Sequence, residues 1–200
     1  MDWINLVFVI LKHEQEFMTI IAAIKEVDKI VYGSDTRVTF DNGPAYDVAT
    51  KWRKLKGKSP KFPIYIGSAG SSRLDNLILS SAKNFESASS CFEIADILKK
   101  AIAADGWKEE KESGGEPQSY SLDMLVIFQN HLYRIASDMS VTEIPSFEFC
   151  AVGSGEPYAL GAAHGTNSKN SKERIKKAIQ AAIKYDPNCG GRVQVGTIEF

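Results

Sequence analysis

Residues 19–39, TIIAAIKEVDKIVYGSDTRVT, set the topology of this chain. Residues 19–25 and 29–35 are two apolar runs rich in β-branched side chains, and the turn Glu26-Val27-Asp28 separates them. Runs of this composition joined by so short a turn are typical of a β-hairpin whose strands are buried. The sequence therefore predicts that an antiparallel sheet begins at Thr19.

Beyond this hairpin, strand patterns and helix patterns come in blocks. Strand patterns lie at 51–55, 63–68, 122–128, 132–137, 147–152 and 192–200, and helical periodicity lies at 74–85, 94–102, 156–163 and 171–185. Blocks of strands and helices, without βαβ alternation, favour the α+β class with antiparallel sheets. Two pairs of amphipathic helices need two sheet faces to cover. We therefore expect a four-layer αββα sandwich, in which helix pairs flank two antiparallel sheets.

Composition narrows the class of protein. The 200 residues are 44% hydrophobic and 24% charged, as expected of one globular domain. A net charge of −1 gives no basic surface for nucleic acid or for an anionic membrane, so neither partner is predicted. Cys91, Cys150 and Cys189 lack C-x-x-C spacing and the three histidines are isolated, so no metal or cofactor site is predicted. So few cysteines also favour a reducing compartment.

Residues 1–18 stand apart from the predicted domain at 19–200. Their apolar run, residues 3–11, is too short to cross a bilayer, which takes about 20 residues. An acidic start and the absence of a small-residue cleavage site argue against a signal peptide. This N-terminal extension is an added strand or helix, a removable leader, or the product of a mis-assigned start codon.

Two further patterns concern chemistry. Gly153, Ser154 and Gly155 lie between a strand and a helix, but Tyr158 occupies the third glycine position of a dinucleotide-binding loop, and the context is not βαβ. Thr19, Asp35 and Lys51 follow one another at intervals of sixteen positions. Taken alone, the aspartate and the lysine predict no more than a salt bridge.

In their order along the chain, these residues and later motifs resemble proteasome β subunits and the related bacterial heat-shock-locus peptidase. Both are N-terminal-nucleophile hydrolases, whose mature chains begin with the catalytic threonine. The resemblance covers about residues 18–200. The matching positions are Thr19, Asp35 and Lys51, the turn Ser68-Ala69-Gly70-Ser71, the block Gly153-Ser154-Gly155-x-x-Tyr158-Ala159, and the block Asp186-x-x-Cys189-Gly190-Gly191.

The resemblance implies a role for each matched residue. Thr19 Oγ would attack the peptide carbonyl with its own α-amine as base, Lys51 would hold down the amine pKa, and Asp35 would fix Lys51. Gly70 would supply an oxyanion-hole amide. Ser154, Asp186 and Cys189 would orient the amine, although the family has serine at the last of these positions. Alignment also places four residues in the substrate pocket: Val38, Ala49, Ser68 and Ser72.

The implied function is that of a threonine-type peptidase subunit. It would assemble with copies of itself into a ring or double ring in the cytoplasm, act on polypeptides, and receive them from an unfolding ATPase. The mechanism requires a free Thr19 amine, so we expect translation to start at Met18 or residues 1–18 to be lost. The alternatives are an N-terminal-nucleophile amidase or transferase with a small or dedicated substrate, and a non-catalytic ring subunit that retains residues 1–18.

Overall fold

The computed structural model describes residues 19–39, 45–48, 50–106, 120 and 122–200. The described residues form eleven strands and five helices. In chain order these are β1 (Ile21–Lys25), β2 (Lys29–Ser34), β3 (Arg37–Thr39), β4 (Ala45–Asp47), β5 (Trp52–Leu55), β6 (Ile64–Gly70), α1 (Ser72–Ser80), α2 (Ala82–Phe85), α3 (Cys91–Ala104), β7 (Leu122–Phe128), β8 (His131–Ile135), β9 (Val141–Glu143), β10 (Phe149–Val152), α4 (Glu156–Gly165), α5 (Ser171–Tyr185) and β11 (Gln194–Glu199). The predictions on residues 1–18 and on Ala49 lie outside the described residues.

The described strands form antiparallel sheets. A four-stranded sheet has the order β10-β1-β2-β11, a five-stranded sheet has the order β5-β6-β7-β8-β9, and β3 pairs with β4. In the hairpin of β1 and β2, Ile21 lies opposite Ser34 and Lys25 lies opposite Ile30. The predicted first hairpin is therefore confirmed, and so is the α+β class.

Three strands were not predicted. β3, β4 and β9 have three residues each, too few for alternation of polar and apolar side chains to stand out in the sequence. The structure also extends β6 to Gly70, two residues beyond the predicted end of that strand. Gly70 is thus the last residue of a strand and not part of a turn before the helix.

The second predicted hairpin is present, and its turn explains its register. β7 pairs with β8 through Gln129 and Asn130, whose φ angles are 49° and 66°. Two consecutive residues with positive φ are characteristic of the type I′ turns that join tightly twisted strands, and asparagine tolerates this conformation well. The long helix α5 begins as predicted after Asn170, whose side chain accepts hydrogen bonds from the backbone N–H groups of Lys172 and Glu173.

β1 is buried on both faces, which explains its continuous apolar sequence. Ile20, Ala22 and Ile24 pack in a cluster with side chains of α4 and α5. Ile21 and Ala23 point to the opposite face, as the two-residue period of a strand requires, and pack in a cluster that includes β5 and β7 residues. A third cluster joins α1, α2 and α3 to the five-stranded sheet. Burial of each large apolar side chain contributes about 1.5–3 kcal/mol.

The longest described helix, α5, has 15 residues. Within the described ranges, no helix has the length and apolar composition needed to traverse a bilayer.

Candidate active site

The chain topology brings Thr19, Asp35 and Lys51 together. Thr19 lies just before β1 and Asp35 just after β2, and these ends meet because the two strands are antiparallel. Thr19 Oγ1 donates to Asp35 Oδ1 at 2.9 Å. Lys51, just before β5, donates from Nζ to Asp35 Oδ1 at 2.6 Å and also to Thr19 Oγ1. Three residues that spacing and the family resemblance singled out thus form one hydrogen-bonded group, which we call the threonine cluster.

The carboxylate of Asp35 accepts hydrogen bonds from both other residues of the threonine cluster. Asp35 has no exposed surface. Besides Thr19 and Lys51, its oxygens accept hydrogen bonds from the backbone N–H groups of Ile20 at 3.2 Å and Gly190 at 2.9 Å. Because a buried carboxylate without partners is very unfavourable, these donors explain how the side chain is accommodated here.

Lys51 is the titratable cation of the threonine cluster. Its side chain is only 8% exposed. Burial lowers the pKa of Lys51, and the carboxylate of Asp35 opposes that effect. Lys51 therefore presents a proton donor directly to the Thr19 hydroxyl from a desolvated position.

The turn 153–155 holds the backbone of Thr19. Ser154 Oγ accepts a hydrogen bond from Thr19 N at 3.3 Å, and Gly155 N–H donates to Thr19 O at 3.2 Å. Gly153 has a φ of 107°, and a Cβ at this position would lie 2.3 Å from Thr19 O. Glycine is therefore required at 153 by both backbone conformation and space. Ser154 was predicted to lie beside Thr19 N, but the roles of Gly153 and Gly155 were not.

Asp186 and Cys189 lie at the end of α5, and both are buried. Cys189 Sγ donates to Asp186 Oδ2 at 3.2 Å. A Cβ at Gly155 would lie 2.8 Å from Cys189 Sγ, so the thiol packs against the turn that holds Thr19. Burial is the main cause that raises the pKa of the Cys189 thiol, and the charge of Asp35 adds to it. In the described structure it is Ser154 that is hydrogen-bonded to Thr19 N, with Asp186 and Cys189 bonded to each other behind the turn.

Gly70 ends β6 with a φ of 129°, a conformation that side chains disfavour. Two residues earlier, on the same face of the strand, Ser68 Oγ donates to Asp75 Oδ1 at 3.0 Å. Asp75 also accepts from Arg53 Nη2 at 2.8 Å. Arg53 lies two residues beyond Lys51, so the two-residue period was the signal in the sequence that could have placed it near the site. Neither charged residue was predicted from the sequence.

The remaining predicted pocket residues are spread over two elements. Val38 lies in β3, opposite Tyr46 of β4, and Ser72 is the first residue of α1. A cavity of about 420 Å³ lies elsewhere, toward the other end of β1, where Ile24 and Phe147 line it. Within the part of the chain that the structure describes, no group of three or more His, Cys, Asp or Glu side chains is arranged to hold a metal ion.

An α+β fold with a threonine just before its first strand, hydrogen-bonded to a lysine and an aspartate, is typical of one class: the proteasome-type N-terminal-nucleophile proteins. Known structures agree with this class. The Thiobacillus denitrificans protein BPH matches with a TM-score of 0.69 and 22% identity, over 90% of this chain and 98% of that chain. HslV from Trypanosoma brucei matches with a TM-score of 0.62 and 19% identity, over 91% of this chain and 100% of that chain. At these identities the likeness establishes the fold.

Sequence relatives identify the family within this class. The ATP-dependent protease subunit HslV of Campylobacter hominis is 31% identical over 170 residues, which cover 82% of this chain and 87% of the relative. The subunit of the same name from Campylobacter jejuni is 30% identical over 168 residues, with the same coverage. No family model matches the chain. This chain belongs to the HslV family of ATP-dependent protease subunits, within the superfamily that its motifs resemble.

Proposed function

We propose that this protein is a threonine-type peptidase subunit of a proteasome-like complex and that Thr19 Oγ1 is its nucleophile. One observation carries the proposal: Lys51 Nζ donates to both Thr19 Oγ1 and Asp35 Oδ1 in a buried group at the start of β1. A threonine hydroxyl is a weak nucleophile until a neighbouring base removes its proton. The proposed base is the α-amine of Thr19 itself.

This base exists only when Thr19 is the first residue. With Met18 attached, the Thr19 nitrogen is an amide, which does not accept a proton at ordinary pH. We therefore assign residues 1–18 to an extension that is absent from the active form, and residues 19–200 to the working domain. A free α-amine has a pKa of about 8, close to the working pH of a general base.

The surroundings of Thr19 N support this assignment. Ser154 Oγ lies 3.3 Å from the nitrogen and would orient the free amine. Lys51, held by Asp35, would disfavour a second positive charge on that amine and so lower its pKa. Asp186 and Cys189 would act from behind the turn 153–155, where the thiol contacts it.

The acyl-transfer step needs a donor for the oxyanion that forms when Thr19 attacks. We assign this role to Gly70 N–H at the end of β6. Loss of such a donor typically costs about 3–4 kcal/mol of transition-state stabilisation. Attack by Thr19 would transfer the acyl group to Oγ1, the amine would pass its proton to the leaving nitrogen, and water would then release the acyl group.

We place the substrate side chain among Val38, Ala49, Ser68 and Ser72. Arg53 and Asp75 add charge next to Ser68, which the assignment from sequence did not include. A substrate pocket on this side would therefore have one polar wall.

We also propose the four-layer αββα arrangement for the domain. Three buried clusters support it: one between α4–α5 and the four-stranded sheet, one that joins residues of both large sheets, and one between the five-stranded sheet and α1–α3. This order of contacts fits helix pairs outside two stacked sheets.

Assembly and location follow from the family. The relatives are named subunits of ATP-dependent proteases, which supports a ring of several copies served by an unfolding ATPase. We propose the cytoplasm as its compartment, in line with three free cysteines among the described residues. An enclosed site would restrict the substrates to unfolded polypeptides.

The test compares the protein that begins at Thr19 with its Thr19→Ala variant and with Thr142→Ala, a matched control on β9. Fluorogenic peptide cleavage and covalent labelling by epoxomicin, the ligand bound in a solved Thiobacillus denitrificans BPH structure, should occur in the parent and in the control. Both should be lost in Thr19→Ala. Intact-mass spectrometry of the native protein should find Thr19 at the N-terminus.

Other results would replace the proposal. A native chain that keeps residues 1–18 and shows no labelling would indicate a non-catalytic subunit. Thr19-dependent turnover of a small amide, without cleavage of any peptide, would indicate an amidase or transferase.

A further inference from the structure

We propose that Arg134 is a positioning residue that fixes the two walls of the active site relative to each other. Arg134 lies on β8, outside every motif that sequence analysis selected. Its guanidinium bridges Asp123 on β7 and Glu156 at the start of α4, and we call these three side chains the arginine clamp. The inference about geometry is independent of the reaction, whereas its kinetic consequence rests on the proposed function.

The contacts of the arginine clamp are bidentate on both sides. Arg134 Nε and Nη2 donate to the two carboxylate oxygens of Asp123 at 3.2 and 2.5 Å. Nη1 and Nη2 donate to the two oxygens of Glu156 at 3.0 and 3.3 Å. A planar guanidinium fixes direction as well as distance in such pairs, which a lysine does not. The relative position of the two carboxylates is therefore defined by one rigid group.

Asp123 connects the arginine clamp to the strand that ends at Gly70. In the register of β6 and β7, Asp123 lies opposite Ala69 and Leu122 lies opposite Gly70. The backbone that we assign to the oxyanion hole is therefore next to the residue that Arg134 holds. A shift of Asp123 along β7 would move the backbone around Gly70.

Glu156 connects the arginine clamp to the turn that holds Thr19. It is the first residue of α4, and its N–H donates to Gly153 O at 3.0 Å. The two residues before it, Ser154 and Gly155, make the hydrogen bonds to the Thr19 backbone. A fixed Glu156 side chain therefore holds the C-terminal side of this turn in place.

Among the described residues, no side chain caps the start of α4 with a hydrogen bond. Its N-cap is Gly155, which offers no capping side chain, and Pro157 in the first turn has no backbone donor. By contrast, the N-cap of α5 is Asn170, whose side chain accepts hydrogen bonds from two backbone N–H groups. The link through Glu156 to Arg134 supplies the restraint at α4 that a cap supplies at α5.

The charges of Asp123 and Glu156 make the geometry of the arginine clamp depend on the Arg134 guanidinium. Burial raises the pKa of both Asp123 and Glu156, and hydrogen bonds from Arg134 oppose that shift. Without the guanidinium, two half-buried carboxylates would face each other with no cation between them. Their repulsion and their need for water would separate the two walls.

The experiment uses Arg134→Met and Glu156→Gln in the protein that begins at Thr19. Glu173→Gln is the matched control, because Glu173 also lies in the first turn of a helix and pairs with a cation, Lys177, but on the surface. Peptide cleavage as a function of pH gives kcat and KM. Hydrogen exchange followed by mass spectrometry gives the protection of the segment that contains Gly155.

We expect Arg134→Met to reduce kcat by roughly 10²-fold with little change in KM, because a small misplacement of reacting groups has effects of this size. Ser154 Oγ accepts a hydrogen bond from the amine and favours its protonated form. When the turn moves, the amine pKa falls, so the acidic limb of the rate profile shifts to lower pH. Exchange should accelerate in residues 153–159 and not in α3. Glu156→Gln should show the same changes to a smaller extent, and Glu173→Gln none.

Wild-type kcat, pH profile and exchange in both clamp variants would overturn the inference. So would exchange that accelerates equally in α3, since that result means a loss of global stability only. If Arg134→Met does not fold, Glu156→Gln alone decides. A parent protein without Thr19-dependent activity would contradict the proposed function, and the exchange data would still test the arginine clamp.

Discussion

The threonine cluster and the arginine clamp both place a cation between oxygen atoms, yet they differ in burial and in the nature of the cation. In the threonine cluster, the Lys51 and Asp35 side chains are 8% and 0% exposed. In the arginine clamp, Arg134, Asp123 and Glu156 are 32%, 15% and 25% exposed. Burial lowers the pKa of Lys51, whereas the pKa of Arg134 is raised, since its two carboxylates outweigh the desolvation that acts against them.

This difference fits the different roles that we propose for Lys51 and Arg134. Lys51 is a compact cation whose proton affinity the surroundings can adjust, which suits a group that touches the reacting hydroxyl. Arg134 stays charged under all working conditions and presents a rigid fork, which suits a group that fixes distances. Substitutions in the threonine cluster and in the arginine clamp should therefore change activity and stability in different ways.

The largest effect is expected for Lys51→Met. It removes the cation that we propose lowers the amine pKa, and it leaves the buried Asp35 carboxylate without its counter-ion. We expect kcat/KM for a fluorogenic peptide to fall by about 10³-fold or more, the scale of lost acid–base assistance. Lys54→Met is the matched control, because Lys54 is an exposed lysine on β5. Activity within a few fold of the parent in Lys51→Met would separate Lys51 from the chemistry.

The next effect concerns stability. Asp35→Asn removes the charge that balances Lys51 in a site with no exposed surface on Asp35. Breaking a buried ion pair from one side typically costs about 3–5 kcal/mol, so we expect a marked fall in the urea midpoint of unfolding. Asp105→Asn, which breaks an ion pair with the exposed Arg73, should change the midpoint much less. Equal midpoints for both variants would contradict the stabilising role assigned to the buried Lys51–Asp35 pair.

Exchanging the cations sharpens the comparison further. Lys51→Arg keeps the charge but adds a bulky planar group beside Thr19, and we expect roughly 10²-fold lower kcat with a modest change in stability. Arg134→Lys keeps the charge but loses the bidentate geometry, and we expect about 1 kcal/mol of lost stability, a small value because Arg134 is partly exposed. Urea unfolding and peptide cleavage on both variants test this. If the loss of kcat relative to the loss of stability is the same for Lys51→Arg and Arg134→Lys, the different roles assigned to Lys51 and Arg134 are wrong.

The smallest effect concerns the thiols. Burial raises the pKa of Cys150 to about 11 and of Cys91 to about 12, above the ordinary value of 9.0. Because each thiol has a higher pKa in the folded protein than in the unfolded chain, its contribution to stability is fully present below pH 9.0. That contribution is lost as the pH rises through about 11 for Cys150 and about 12 for Cys91. At pH 8 we expect an aromatic disulfide reagent to react on the order of 10²-fold more slowly with the native protein than with the unfolded one. A thiol that reacts equally fast in both states would contradict the burial.

Much of the fold could be predicted because it depends on local patterns. The apolar runs around residues 26–28 predicted the first hairpin, and helical periodicity predicted α5 to within its ends. Elements of three residues, such as β3 and β9, were missed because so short a segment carries no visible period. The continuous helical face expected at 74–85 is divided in the structure into α1 and α2 at Ser81.

The candidate site also has residues that could be predicted from the sequence and residues that could not. Spacing and resemblance selected Thr19, Asp35 and Lys51, and their hydrogen bonds join residues on neighbouring strand ends. Arg53 and Asp75 were missed because their proximity to Ser68 depends on the pairing of β5 with β6 and on the packing of α1. Arg134 was missed because it is a single charged residue within a strand pattern, and no motif in the sequence connects it with Asp123 or Glu156.

The order of residues along the chain thus determined the hairpin, the helix faces and the sequence positions of the reactive groups, since each depends on neighbours within a few residues. Tertiary structure determined how residues more than a hundred positions apart meet, as Ser154 does at Thr19 N and Gly190 does at Asp35. It also determined how Glu156 comes close enough to share Arg134 with Asp123. The physical reason is that strand register and sheet packing fix such contacts, and both result from burial of the whole set of apolar side chains rather than from any local period.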